Sequence, residues 1–167
     1  MKRNFAFVFL FVSFLAAILF ISTTANAQAI PEFKVKLTNG TSVSSKNVAR
    51  QKPLLIIYFA PDCDHCRKLM DQLFPQMNAF KNTEILMVTF ESLNDVKWFE
   101  NHYHTKNFPN IKVGMEEPVF FLKNYYHLEH TPFTALFDKN GKLLVSYKEF
   151  TPVSELIKWV KVAGKKQ

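Results

Sequence analysis

The stretch Leu54-Leu55-Ile56-Ile57-Tyr58-Phe59-Ala60-Pro61-Asp62-Cys63-Asp64-His65-Cys66-Arg67-Lys68-Leu69 changes its periodicity midway. Leu54–Phe59 follows Lys52-Pro53, is apolar, branched or aromatic throughout, and reads as a buried strand. Ala60-Pro61-Asp62 reads as a turn. From Cys63 onward the apolar spacing becomes helical, with Leu69, Leu73, Met77 and Phe80 recurring on one face. Pro75 falls inside that pattern and predicts an interruption of the helix. The cysteines therefore stand where a strand gives way to a helix. Unpaired backbone N–H groups and the positive end of the helix dipole favour a thiolate on Cys63 at such a place. A second thiol one turn later, Cys66, is positioned to resolve a mixed disulfide formed on the first.

The chain has 167 residues, enough for one domain with a processing segment. With 48% hydrophobic and 21% charged residues it is ordinary globular material, not a disordered chain. Lys2 and Arg3 precede an apolar run from Phe5 to Ile21, and Ala25-Asn26-Ala27 has the small-x-small form of a signal-peptidase site. Residues 1–27 are read as a signal peptide, with an uncleaved membrane anchor as the alternative, and residues 28–167 as the exported domain. Exported here means periplasmic or otherwise extracytoplasmic. The formal charge is +7; losing Lys2 and Arg3 with the leader lowers it to +5. That surplus is mild, and no basic stripe interleaved with aromatics marks a nucleic-acid surface. The short basic tail Lys161–Lys166 suits solubility and weak attraction to an anionic surface.

Export makes the cysteine count informative, because an oxidising compartment turns cysteines into cross-links. This chain has 2, spaced Cys63-Asp64-His65-Cys66. A bridge closing so short a loop stabilises by only ~2 kcal/mol on the loop-entropy formula, so a purely structural staple uses the spacing poorly. A redox-active pair uses it well.

Elsewhere, Phe33–Leu37 alternates apolar and polar residues, and Asn39-Gly40 predicts a type I′ hairpin turn before Thr41-Ser42-Val43. Glu84–Phe90 reads as a second buried strand, and Ser92 starts a helix whose apolar face carries Val96, Phe99 and Tyr103. Phe133–Phe137 and Lys142–Tyr147 read as strands joined by Asp138-Lys139-Asn140-Gly141. Thr151-Pro152 opens a last helix with Val153, Leu156, Ile157 and Val160 on one side. Asn107–Phe121, with Pro109, Gly114 and Pro118, reads as an insertion or long connection. The expected fold is α/β: a central mixed sheet flanked by helices, with an N-terminal β-hairpin extension.

The entry hairpin at Asn39-Gly40, the Phe59–Cys66 segment, Thr131-Pro132-Phe133 and Asp138–Lys142 together resemble the thioredoxin superfamily, in particular its exported TlpA/ResA-type members. The likeness covers about residues 31–163. It implies a thioredoxin-like fold and a thiol–disulfide oxidoreductase acting on protein disulfides, with Cys63 and Cys66 catalytic. It implies a cis Pro132 facing the cysteine pair, and Thr131 offering its backbone to substrate, as an exposed edge does in β-augmentation. Pro61 is expected beside substrate as well, with Asp64 and His65 in support. No cofactor is expected beyond the Cys63–Cys66 disulfide itself. Expected partners are protein disulfides or dithiols and an extracytoplasmic thiol electron donor, with the N-terminal segment keeping a monomeric domain near a membrane.

Departures from that family bear on rate and direction. Asp62 stands where thioredoxin has Trp, Asp64-His65 replaces Gly-Pro, Ile57 replaces a buried Asp, and Leu69 replaces the ResA-type Glu. Asp62, Asp64, Asp71 or a water is left to take the Cys66 proton. Arg67, Lys68 and a charged His65 would lower the Cys63 pKa while Asp62 and Asp64 would raise it. The overall resemblance favours a reductant; His65 before the second cysteine is similar to DsbA-type oxidants. The alternative function is a copper-binding chaperone on the same fold, with the thiols as soft ligands beside a His. Its usual three-residue cysteine spacing is absent. His102-Tyr103-His104 could complete a four-ligand site with the cysteines, but helix positions two apart face different ways, so no metal is expected. His130 could line the substrate groove; exposed loop positions are the simpler account for it and for His127. A peroxidase lacks its Thr, Ala60 standing three before Cys63.

Overall fold

The computed structural model describes residues 29–48 and 51–164. The leader read over residues 1–27, the boundary at residue 28 and the end of the basic tail lie outside the described residues. Within them the order is β1 (Lys34–Leu37), β2 (Ser42–Ser44), α1 (Ser45–Val48), β3 (Leu54–Tyr58) and α2 (Asp64–Leu73). There follow β4 (Glu84–Thr89), α3 (Leu93–His102), β5 (Ile111–Glu117), α4 (Phe121–Tyr126), β6 (Phe133–Phe137), β7 (Leu143–Lys148) and α5 (Val153–Ala163).

The strands form a seven-stranded sheet in the order β2-β1-β5-β4-β3-β6-β7. β3 runs parallel to β4 and β4 to β5, while β1–β5, β3–β6 and β6–β7 are antiparallel, so the sheet is mixed. Every residue of β3 is buried, as expected of a central strand covered on both faces. Its period of two divides the core. Leu55, Ile57 and Phe59 face a cluster with Leu69, Leu73, Val96, Phe99 and Leu156 from α2, α3 and α5. Leu54, Ile56 and Tyr58 face the opposite cluster with Val48, Leu122 and Tyr126 from α1 and α4. The result is a three-layer α/β domain carrying an N-terminal hairpin, as the pattern predicted.

Pro75 acts as expected: α2 stops at Leu73 and the chain continues through Phe80 as a 3-10 helix with Pro in its first turn. Ser92 caps α3, its side chain accepting from the Asp95 N–H.

Two expectations are corrected. The entry hairpin is present, but its turn is not type I′, which needs a left-handed backbone at both central residues. Here Gly40 is left-handed at φ 84 and Asn39 is not among the left-handed residues. Leu37 N–H donates to Thr41 O at 2.8 Å and Gly40 N–H to Leu37 O at 3.0 Å, the pattern of a three-residue loop closed by a glycine bulge.

The second correction concerns residues 107–121, which are no insertion. Ile111–Glu117 is an interior strand, parallel to β4 and antiparallel to β1, and α4 follows it. Gly114 opposes Leu37, and a Cβ there would collide with the Lys36 carbonyl oxygen and Val35 Cγ1. The glycine that looked like loop punctuation lets β1 and β5 approach.

Candidate active site

At the end of β3 the chain leaves the sheet through Phe59, whose N–H still donates to Val88 O at 2.9 Å. It turns over Ala60–Asp62, with Cys63 N–H bonded to Ala60 O at 3.2 Å. Cys63 has extended backbone (φ −78, ψ 122) and is the N-cap of α2, so its sulfur takes the place that a Ser or Asp oxygen usually fills. Cys63 Sγ accepts the Cys66 N–H at 3.3 Å. On its other side it lies 3.5 Å from Thr131 O, immediately before the cis Thr131–Pro132 bond. Both thiols are free; Cys63 is half-buried and Cys66 is 2% exposed.

These surroundings drive the two thiols apart in acidity. Burial pushes the Cys63 thiol up, but hydrogen bonds with the side chains of Cys66 and Thr131 and with the backbone of Cys66 and His65 outweigh it, leaving the pKa below that of a free thiol. Burial pushes the Cys66 thiol up to about 12, and its hydrogen bond to Cys63 and the Cys63 charge add to the effect. One sulfur is thus prepared to attack while the other holds its proton.

The arrangement opens onto a cavity of about 630 Å3 lined by Cys63, His65, Thr131, Tyr58, Phe120 and His130, among others. A second, smaller hollow of about 250 Å3 lies across Pro132, lined by Leu69, Phe150 and Thr151. His65 and Glu149 border both. A further hollow of about 410 Å3 between Thr38, Lys97, Glu100 and Lys112 contains neither cysteine and is remote from this chemistry.

Most of the residues expected here converge. Cys63, Cys66, Thr131 and Pro132 meet across the turn and the loop, His65 borders the cavity, and His130 lines it. Asp64 turns outward and pairs with Arg67, so these opposed charges offset one another instead of acting on Cys63. Pro61 is buried inside the turn and lines neither cavity. Ile57 is packed in the core. His102 stacks on Trp98 at 4.9 Å, and His104 is exposed and leads into a 3-10 turn with φ 50. Among the described residues no three His, Cys, Asp or Glu side chains cluster as a metal site.

The sequence reading missed Glu116. It is fully buried on β5. One carboxylate oxygen accepts the Tyr58 O–H at 2.9 Å and the Phe120 N–H at 2.8 Å; the other accepts the Leu122 N–H at 2.9 Å. Burial raises its pKa against the lowering effect of those donors, and burial beside Glu116 raises that of Tyr58. The alternation Ile111, Val113, Met115 was a signal for the strand; the buried glutamate that follows Met115 was not.

Residues 44–164 match the family profile of a thioredoxin-like domain. A curated relative, a probable protein disulfide-isomerase A6 from Medicago sativa, is 29% identical over 112 residues, covering 65% of this chain and 29% of that protein. The chain therefore spans under a third of that relative's length. Among solved structures, the thioredoxin domain of a thiol-disulfide oxidoreductase from Bacteroides vulgatus aligns with TM-score 0.63 and 22% identity, covering 81% of this chain and 99% of that one. A secreted disulfide oxidoreductase of Mycobacterium tuberculosis aligns with TM-score 0.64 and 13% identity, covering 78% and 95%. Likenesses at that identity speak to the fold.

Proposed function

This chain belongs to the thioredoxin-like domain family, and from that premise we propose that it is an extracytoplasmic thiol–disulfide oxidoreductase that reduces protein disulfides. The observation that carries the reading is the position of Cys63: a helix-capping sulfur, held against Thr131 at a cavity mouth, with Cys66 buried one turn behind it.

In the forward reaction Cys63 Sγ, as thiolate, attacks one sulfur of a substrate disulfide. The substrate S–S bond breaks, its leaving sulfur departs as a thiolate that takes up a proton, and a mixed disulfide remains on Cys63. That bond removes the Cys63 charge which had helped to raise the Cys66 pKa, so Cys66 becomes easier to deprotonate at the moment it is needed. Cys66 then attacks Cys63 Sγ and expels the second substrate sulfur. The substrate gains two electrons and the enzyme keeps the Cys63–Cys66 disulfide, which an external thiol donor must reduce.

Direction follows from what stabilises the thiolate. The lowering causes at Cys63 are hydrogen bonds and include no cation, and Arg67 is engaged by Asp64. Strong oxidants of this chemistry are those whose reduced form is strongly stabilised. The TlpA/ResA-type resemblance supports the reductant direction, and no cation beside Cys63 adds to the stabilisation of its thiolate. The extracytoplasmic setting rests on the leader signal in residues 1–27.

Reduction of insulin disulfides by the metal-free protein tests the activity, beside trapping with Cys66→Ser. The expected result is turnover by the parent protein and mixed disulfides held on Cys63 of the variant, located by mass spectrometry. A protein that leaves insulin intact but takes up one copper ion tightly in its reduced form is a metal chaperone instead. Trapping by Cys63→Ser but not by Cys66→Ser reverses the roles of the sulfurs.

A further inference from the structure

Beside the reactive sulfur lies an aromatic surface that the core does not need. Phe120 is 43% exposed, yet it borders the same cavity as Cys63. Its ring packs against Phe90 at 5.3 Å, and Lys123 Nζ lies 5.6 Å from its centroid. Its backbone is left-handed, φ 64, a conformation that a bulky residue without local compensation avoids. Strained residues of this kind collect at ligand clamps, provided the surrounding structure holds them.

Glu116 supplies that hold. It is buried completely, and the oxygen that binds the Phe120 N–H also accepts from Tyr58, which itself lines the cavity. Its second oxygen fixes the first turn of α4 through Leu122. A carboxylate out of water is costly unless satisfied, and these three donors satisfy it. One buried group therefore ties the strand leading to Cys63 to the residue that presents the aromatic ring.

Accepting Cys63 as the attacking sulfur, we infer that Phe120 and Phe90 form a specificity subsite for a large apolar side chain, aromatic above all, carried next to the cysteine of a disulfide-bonded polypeptide. The cavity, about 630 Å3, exceeds one side chain and is continuous with Cys63 and Thr131, so it suits a chain segment. Its charged margin is mixed in sign, with Lys123 opposed by Glu129 and Glu149, and gives an anionic small disulfide such as oxidised glutathione no net attraction. Contact with the exposed ring is the gain that remains.

Two measurements on the protein test this separately from the chemistry. In the first, peptides bridged by a disulfide and differing only in the residue beside the cysteine (Phe, Ala or Asp) are compared by kcat/KM. The expected preference for Phe over Ala is about tenfold, the discrimination an apolar pocket offers. Phe120→Ala brings that ratio near one and Phe120→Tyr restores it. In the second, the same peptides with Ser in place of Cys are titrated by calorimetry, where Phe binds about tenfold more tightly than Ala to the parent protein. A ratio near one in the parent, a ratio untouched by Phe120→Ala, or faster reduction of oxidised glutathione than of any peptide overturns the subsite. Binding preference without reduction of any disulfide leaves the subsite standing and refutes the oxidoreductase reading.

Discussion

The acidity of Cys63 is the work of a few neutral donors, and it has a measurable sign. Alkylation requires the thiolate, so reactivity rises with pH through the folded pKa. Because hydrogen bonds from Cys66, Thr131 and the helix N-terminus outweigh burial, the alkylation midpoint of Cys63 in the reduced protein falls below that of free cysteine. Iodoacetamide titration followed by peptide mapping should show Cys63 modified first, with Cys66, held near 12, untouched through neutral pH. A single midpoint shared by both thiols contradicts this account. The two sulfurs were legible in the sequence because turn and helix start are local patterns, whereas the Thr131-Pro132 pair was expected only from the resemblance to the thioredoxin superfamily. Glu116 was not legible. Its bond to Tyr58 joins residues 58 apart, and no local periodicity announces a buried carboxylate whose partners come from another strand and a helix start. The outward pairing of Asp64 with Arg67 also escaped, since composition counts their charges but not where they point.

Among the elements, β5 is the informative one. Strand patterns with long apolar runs, such as β3 and β4, declare themselves, as does α3 with its Ser92 cap. In β5 the residues Lys112, Gly114, Glu116 and Glu117 dilute the run, and Pro118 ends it, so the stretch reads as a connection. The sheet gives each its reason. Gly114 admits β1, Glu116 secures α4, and a side chain at 114 has nowhere to go. Gly114→Ala is therefore expected to cost about 1–3 kcal/mol through overpacking against Lys36 and Val35, read as a lower denaturant midpoint with unchanged slope. A neutral result removes the close approach as the reason for glycine. The Asn39-Gly40 hairpin teaches the complementary lesson. The dipeptide located the reversal correctly, but loop length selected the turn, and only Gly40 took the left-handed geometry.

For the molecule as a whole, the succession of elements along the chain was legible in outline: the hairpin, the central β-α-β unit and the closing hairpin and helix were present in the pattern, while α1 and β5 with its helix were missing. The mixed sheet pairs β3 with β6 and so brings Cys63 against the loop that carries Thr131. The proposed reductant role predicts a couple toward the thioredoxin end of the scale, near about −270 mV, away from the strongly oxidising end near about −120 mV. Equilibration with dithiothreitol buffers, followed by thiol counting, checks it; a value at the oxidising end makes the protein a disulfide donor. The contact between Cys63 and Thr131 spans 68 positions in the chain. The helix that Cys63 caps has 10 residues, and isolated helices below roughly 12–15 residues are marginal in water. Before folding is complete, then, the sulfur has neither its cap nor its loop and behaves as any cysteine would. A nascent polypeptide carries an unarmed thiol, and reactivity arrives together with the finished tertiary structure.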